Sequence, residues 1–169
     1  MKYRLTAQTK IKDFPFFEEL SAEQKNKLLE NSTFDYGKLT VSDLFEMAEG
    51  KVPSKLSALI TEDITVVDYI ALTYGLQKFV EWYTKEIETY TVKPTAEETA
   101  AAAGVPQPTY QEGVLFMLRS YFGKASFAEV EQLTLTDYLL ASKDTFIKMS
   151  LERNLGEIYK RKTQKNIKR

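Results

Sequence analysis

A helix start followed directly by an uncharged helix is encoded by ITVVDYIALTYGL, residues 64–76. Thr65 and Asp68 have the spacing of an N-cap residue and its partner in the first turn, which predicts a helix over 66–88. The residues that follow Asp68 in this stretch carry no charge, so we expect this half of the helix to be buried on all sides. Gly75 predicts a close approach by another helix, because it has no side chain to keep a neighbour away.

The same start signal occurs three times along the chain, as an apolar residue, Thr, two further residues, Asp and a second apolar residue. The three stretches are LTVSDL at 39–44, ITVVDY at 64–69 and LTLTDY at 133–138. In each of them the Thr hydroxyl is placed to accept a backbone N–H of the first turn, and the Asp is placed to accept the Thr amide. The predicted capping pairs are Thr40 with Asp43, Thr65 with Asp68, and Thr134 with Asp137.

Other capping residues and apolar stripes predict the remaining helices. Capping boxes with Glu or Gln three positions later begin at Ser21, Thr95, Thr109 and Ser126. The predicted helices cover 15–20, 22–30, 41–49, 54–60, 66–88, 96–103, 110–122, 127–132 and 135–162. Helical spacing places Val114, Met117, Leu118 and Tyr121 on one stripe. It also places Leu140, Ile147, Leu151, Leu155 and Ile158 on one face of the last helix.

The first twelve residues alternate between apolar and polar side chains, which is typical of a strand with one buried face. Tyr3 and Leu5 lie on the apolar side of this arm. A strand needs a partner, and residues 89–93 (TYTVK) have a β-rich composition. Two pairings stay open: the arm pairs with 89–93, or it adds to the sheet edge of another protein.

These elements together predict a mainly α protein, a bundle of about seven to nine helices with a short N-terminal β arm. The predicted divisions are the basic arm 1–12, a helical domain 13–92, an Ala- and Pro-rich linker 93–109, and a helical subdomain with a basic tail, 110–169. The linker contains a short helix without large apolar residues. We interpret it as a solvated spacer, and the alternative is a segment that orders on a partner.

The composition excludes several kinds of chemistry. The chain has no Cys and no His, so it has no disulfide, no Cys/His zinc site, no Ser-His-Asp triad and no Cys nucleophile. The glycines do not have the spacing of a phosphate-binding loop. Paired acidic residues are adjacent in sequence, so they do not face each other on a helix. We therefore predict no catalytic residue, no metal site and no cofactor.

No apolar run is long enough to span a membrane and no leader is visible, so we expect a soluble, intracellular protein.

The net charge of −1 is unevenly distributed: residues 1–12 carry +4, residues 13–152 carry −11, and residues 153–169 carry +6. The basic ends are suited to docking on the acidic body of a neighbouring copy, or to folding back on their own chain. The basic C-terminus also keeps a nucleic-acid-binding helical protein as an alternative.

Exposed aromatic and basic side chains are the candidate partner-binding residues. Three Phe side chains flank Pro15, and apolar or basic side chains line the two ends of the chain. The candidates are Tyr3, Leu5, Phe14, Phe16, Phe17, Lys160, Arg161, Lys162 and Lys165.

The stretch SFAEVEQLTLTDYL, residues 126–139, resembles small helical tail assembly chaperones of tailed bacteriophages. Members of that family often have a short helix, then Leu-Thr-x-x-Asp/Glu-Leu, then a long final helix. The segment 64–69 is similar to an element in the middle of some members.

This resemblance implies a non-enzymatic protein that acts through protein–protein contacts during phage assembly. Such chaperones bind the long helical tape measure protein, shield its apolar helix faces and recruit tail tube subunits. A virion component, such as a ring, a connector or another head–tail subunit, is the related alternative. In either case we expect a homo-oligomer, located in the host cytoplasm during assembly or in the virion.

Overall fold

A computed structural model of the chain describes residues 8–13, 19–61 and 63–167, with side chains to residue 163. These residues are mainly helical, which confirms the all-α class. The helices are α1 (Ala22–Leu29), α2 (Val41–Ala48), α3 (Ser54–Ser57), α4 (Val66–Ile70), α5 (Leu76–Thr89), α6 (Ala96–Ala101), α7 (Tyr110–Phe122), α8 (Phe127–Glu131) and α9 (Leu135–Ile167). A π-helical segment, Ala71–Gly75, joins α4 to α5, and short 3₁₀ helices cover Ile11–Asp13 and Tyr36–Lys38.

The repeated Thr-x-x-Asp signal forms the helix starts that it predicts. At α2 the Asp43 amide donates to the Thr40 hydroxyl, and the Thr40 amide donates to the Asp43 carboxylate at 2.6 Å. Thr134 and Asp137 make the same reciprocal pair at α9. At α4 the Asp68 amide donates to the Thr65 hydroxyl at 3.1 Å, and the Asp68 carboxylate accepts that hydroxyl instead of the predicted Thr65 amide. Since all these bonds are local in sequence, the motif alone defines them.

The predicted N-terminal strand is corrected where the structure describes it. Residues 1–7, which include Tyr3 and Leu5, lie outside the described residues. Of the rest, Lys10 forms a single antiparallel bridge with Thr65, flanked by bonds from Ile11 N to Ile64 O and from Val66 N to Thr9 O. The backbone then turns into a 3₁₀ helix, because the Asp13 amide donates to Lys10 O instead of continuing the ladder.

The predicted strand at 89–93 is wrong. Its residues continue the turn that ends α5, with Tyr90 N donating to Ile87 O and Thr91 N to Glu88 O. The Thr89 and Thr91 hydroxyls also donate back to carbonyl oxygens of α5. These local hydrogen bonds satisfy the end of the helix, so the β-rich composition does not decide the conformation.

The chain divides into two compact units, Met1–Thr84 and Lys85–Arg169. In the first unit Val66 and Ile70 are buried, and side chains of α1 and the Ile11 region pack against them. In the second unit α7 packs on α8 and α9, with Val114 and Leu118 buried. The division falls inside α5, whereas the sequence predicted a boundary at 93–109. That segment belongs to the second unit.

Two hydrogen bonds from Arg153 of α9 hold the predicted linker in place. Arg153 donates from Nη1 to the carbonyl oxygen of Lys93 at 2.9 Å, and from Nη2 to the Glu98 carboxylate at 2.6 Å. These bonds link both the start and the middle of the α6 segment to α9. The Ala-rich segment is therefore held by a long polar side chain rather than by apolar packing.

Candidate protein-binding groove

The second unit contains an open groove of about 420 Å³ between the end of α5, the start of α7 and the middle of α9. Aromatic and methionine side chains dominate its walls. They are Tyr90, Tyr110, Met117, Tyr138, Phe146 and Met149. This volume is in the range of small-molecule sites, but the groove is open and its walls are apolar, so it is suited to apolar side chains of another protein.

One wall is positioned by the cap of α7. Thr109 is the N-cap residue: its hydroxyl accepts the Glu112 amide, and its own amide donates to the Glu112 carboxylate at 2.8 Å. This backbone hydrogen bond is the main reason that the pKa of Glu112 is lowered. The cap places Tyr110 as the first residue of α7, where its side chain is 59% exposed at the rim. Its hydroxyl lies 3.4 Å from that of Tyr138.

The opposite wall is an aromatic pair between the end of α5 and α9. The rings of Tyr90 and Phe146 meet edge to face, with centroids 6.1 Å apart. The ammonium group of Lys143 lies 5.0 Å from the centroid of the Tyr90 ring, a cation–π geometry. Tyr90 is thus held from two sides, by Phe146 and by Lys143, so this wall is preformed.

The base of the groove is apolar, with Val114 and Tyr138 buried. Ser142 is also buried and lines the groove. Among the described residues no buried side-chain polar atom lacks a hydrogen-bond partner, and no group of three acidic residues is placed to hold a metal ion. Met117 and Met149 add flexible thioether side chains, which adapt to partners of different shape.

A second, smaller apolar cavity lies in the first unit, with a volume of about 300 Å³. Tyr36 stacks on Phe79 with ring centroids 5.2 Å apart, and Phe79 contacts the ring of Trp82. Trp82 is half exposed at the edge of this cavity. The first unit therefore also presents an aromatic surface to solvent, at a smaller cavity.

The structure brings none of the described sequence candidates into either groove. Phe14, Phe16 and Phe17, like Tyr3 and Leu5, lie outside the described residues. Lys160, Arg161 and Lys162 are exposed on α9, and Lys160 lies 3.7 Å from both Glu97 and Glu157. Lys165 is in α9, but its side chain is outside the described part.

The groove residues were missed because their meeting is not local in sequence. Val114 and Met117 belong to the predicted stripe of α7, and Val114 and Leu118 are buried as such a stripe predicts. Tyr90 and Phe146 are 56 positions apart, and nothing in either segment indicates the other. An exposed Tyr directly after a capping Thr was the available signal for the rim.

The chain matches no family model, no curated protein and no solved structure in three comparisons. In the described part of the chain, no helix combines the length and the apolar character needed to cross a membrane.

Proposed function

We propose that the protein is a non-enzymatic assembly factor that holds an apolar helix segment of a partner protein in the groove of the second unit. The observation that carries this proposal is the preformed apolar groove with Tyr110 exposed at its rim. Binding of an amphipathic helix in an apolar groove is a recurrent mode of peptide recognition. Aromatic side chains are also those that most often dominate binding energy at interfaces.

The phage context of the proposal comes from the resemblance of residues 126–139 to tail assembly chaperones. In this stretch the Ser126 hydroxyl accepts the Glu129 amide to begin α8, and Thr134 with Asp137 begins α9. A tape measure protein is long and helical, so it would supply apolar helix faces that need cover before assembly. The groove supports this role because it accepts apolar side chains without demanding one sequence.

Binding to a tape measure protein, sought among the genes that neighbour this chain's gene, tests the proposal. We expect Tyr110→Ala and Met149→Ala each to weaken binding by roughly tenfold or more, because each removes a large aromatic or apolar side chain that a bound helix would cover. Tyr159→Ala is the matched control, because Tyr159 is a similarly exposed tyrosine of α9 that does not line the groove. Isothermal titration calorimetry measures all three. Equal affinities for the groove variants and the control would contradict the proposal.

A second measurement separates a chaperone from a virion subunit. A chaperone is released when assembly ends, so mass spectrometry of purified particles should not detect this chain. A fixed number of copies per particle would instead assign it to a ring, a connector or another head–tail component.

A further inference from the structure

An apolar stripe on α9 is exposed to solvent. It consists of Leu140, Ile147, Leu151, Leu155 and Ile158, each between 48% and 58% exposed. At 100° per residue these side chains fall within an arc of about 80° and extend along about 27 Å of the helix. The spacing of three, four and seven residues is that of a helix–helix seam. Monomeric proteins rarely expose a continuous apolar surface of this kind.

Most of the second unit's own contacts are on the other side of α9, and within the arc of the stripe Asp144 accepts a hydrogen bond from the Tyr121 hydroxyl of α7. Tyr138 and Ser142 are buried on the opposite side, and Arg153 on that side binds the α6 segment. The groove residues Phe146 and Met149 are on that opposite side as well. In the described part of the chain, α9 therefore has one face packed within the unit, and the five apolar side chains of the stripe are about half exposed on the other.

The charges of α9 favour one arrangement of two such helices. Residues 135–152 carry a net charge of −1, and residues 153–169 carry +6. A parallel pair would place two strongly basic ends side by side, which is unfavourable. An antiparallel pair places the basic end of each copy beside the start of α9 in the other, where Asp137 lies. The antiparallel direction therefore avoids the repulsion between the two basic ends and brings each of them next to a nearly neutral segment with an acidic residue at its start.

We infer that α9 pairs antiparallel with α9 of a second copy of this chain through the stripe. Such a contact is isologous, so each residue pair occurs twice. Overlap of the two stripes is greatest when their centres coincide, which places Leu140 of one copy against Ile158 of the other and Ile147 against Leu151. The groove stays open in the pair, so this inference does not depend on the proposed function.

Disulfide trapping tests the inference, because the chain has no cysteine of its own. Tagged L140C chain is mixed with untagged I158C chain and oxidised gently. We expect a linked tagged–untagged dimer in the mixture, and little linked dimer in either variant alone. If each single variant alone forms as much disulfide-linked dimer as the mixture, the two helices pair in parallel. If the mixture forms no linked dimer, the two copies do not meet through this pair of residues. Either result overturns the inference.

Sedimentation velocity tests the stripe without a covalent bond. We expect the unchanged chain to form a dimer and L151E/L155E to be a monomer with the same far-ultraviolet circular dichroism. V105E is the control, because Val105 is exposed but lies outside the stripe. If the chain without substitutions is a monomer, the inference is overturned. This holds even if L151E/L155E loses tape measure binding, because that loss would show that the stripe binds a different partner. Y110A should stay dimeric, which separates failure of the groove from failure of the stripe.

Discussion

The hydroxyl of Tyr36 donates a hydrogen bond of 2.8 Å to the carbonyl oxygen of Ala71. That carbonyl opens the π-helical segment and also accepts the Leu76 amide, five residues further on. Burial raises the pKa of Tyr36, so its hydroxyl stays protonated as a donor. The space for the Tyr36 hydroxyl is left by Gly75, where an added Cβ would clash with that hydroxyl and would lie only 2.8 Å from Leu29 Cδ2.

Gly75→Ala should therefore destabilise the protein. Overpacking costs roughly 1–3 kcal/mol, which exceeds the gain of about 1 kcal/mol in helix propensity. Urea unfolding followed by circular dichroism measures the change. Gly113→Ala is the control, since an added Cβ meets nothing within 4 Å in α7, and it should be neutral or stabilising. An increase in stability for Gly75→Ala would contradict the close packing described here.

Tyr36→Phe tests the same contact from the other side. Alone it removes a hydrogen bond worth about 1 kcal/mol. Combined with Gly75→Ala it also removes the atom that clashes, so the two losses should be less than additive by at least about 0.5 kcal/mol. Strictly additive free energies of unfolding would show that the two residues do not share this space.

The buried cap at α2 should matter more than its exposed counterpart at α4. Asp43 is buried, accepts the Thr40 amide and hydroxyl, and pairs with Lys55. Asp43→Ala leaves these groups without their partner and should cost about 1–3 kcal/mol. Asp68→Ala removes the carboxylate at the equivalent position of the α4 motif, where it is exposed to solvent. The loss in free energy of unfolding should therefore be smaller. Equal losses in thermal unfolding would mean that burial of Asp43 adds nothing.

The helix starts could be predicted because Thr-x-x-Asp is a local signal, satisfied within one turn of helix. The conformation of residues 89–93 could not be predicted, because local hydrogen bonds at the end of α5 compete with the β propensity of these residues. The stripe of α9 was placed on one face correctly, yet periodicity does not say whether a face is covered. α9 has apolar residues on both sides, and the tertiary contacts decide which side is buried. The groove depends on long-range pairs such as Tyr90 with Phe146.

An ion pair attaches the N-terminal segment to the start of α4 and should depend on pH. Asp63 accepts from Lys12 at 2.6 Å and from Lys10 at 3.0 Å. Hydrogen bonds from Lys12 and then Lys10 lower the pKa of Asp63 to about 2. Since the folded pKa is lower than the usual value, the attachment is complete above about pH 4 and is lost as the pH falls through 2. The pKa of Lys12 is raised, chiefly by its hydrogen bond to Asp63, so the pair also persists to the alkaline range.

Carbon-detected NMR titration of the Asp63 carboxyl measures this directly. The midpoint should lie near pH 2 and move toward the usual value in 1 M salt, because the pair is exposed and screened. Asp63→Asn should loosen residues 8–13, seen as faster exchange of the Ile11 and Val66 amides that bond this segment to 64–66. Glu23→Gln, in the exposed pair of α1, should leave those amides unchanged. An ordinary pKa for Asp63 would contradict the attachment.

Hydrogen exchange distinguishes a solvated spacer from a docked segment at 93–109. α6 has six residues and no buried side chain, so it is too short to persist alone in water. Its Thr95 cap lowers the pKa of Glu98, and that carboxylate also accepts from Arg153. Arg153→Ala removes the two hydrogen bonds of Arg153 and leaves the longer Lys160–Glu97 ion pair of 3.7 Å, so hydrogen exchange at 95–103 should become several-fold faster. Arg153→Lys should restore only part of the protection, because an ammonium group lacks the planar fork that reaches the Lys93 carbonyl and Glu98 together. Arg161→Ala, exposed on the same helix, is the control. Unchanged exchange in Arg153→Ala would show that α6 forms without the Arg153 hydrogen bonds, as a spacer would.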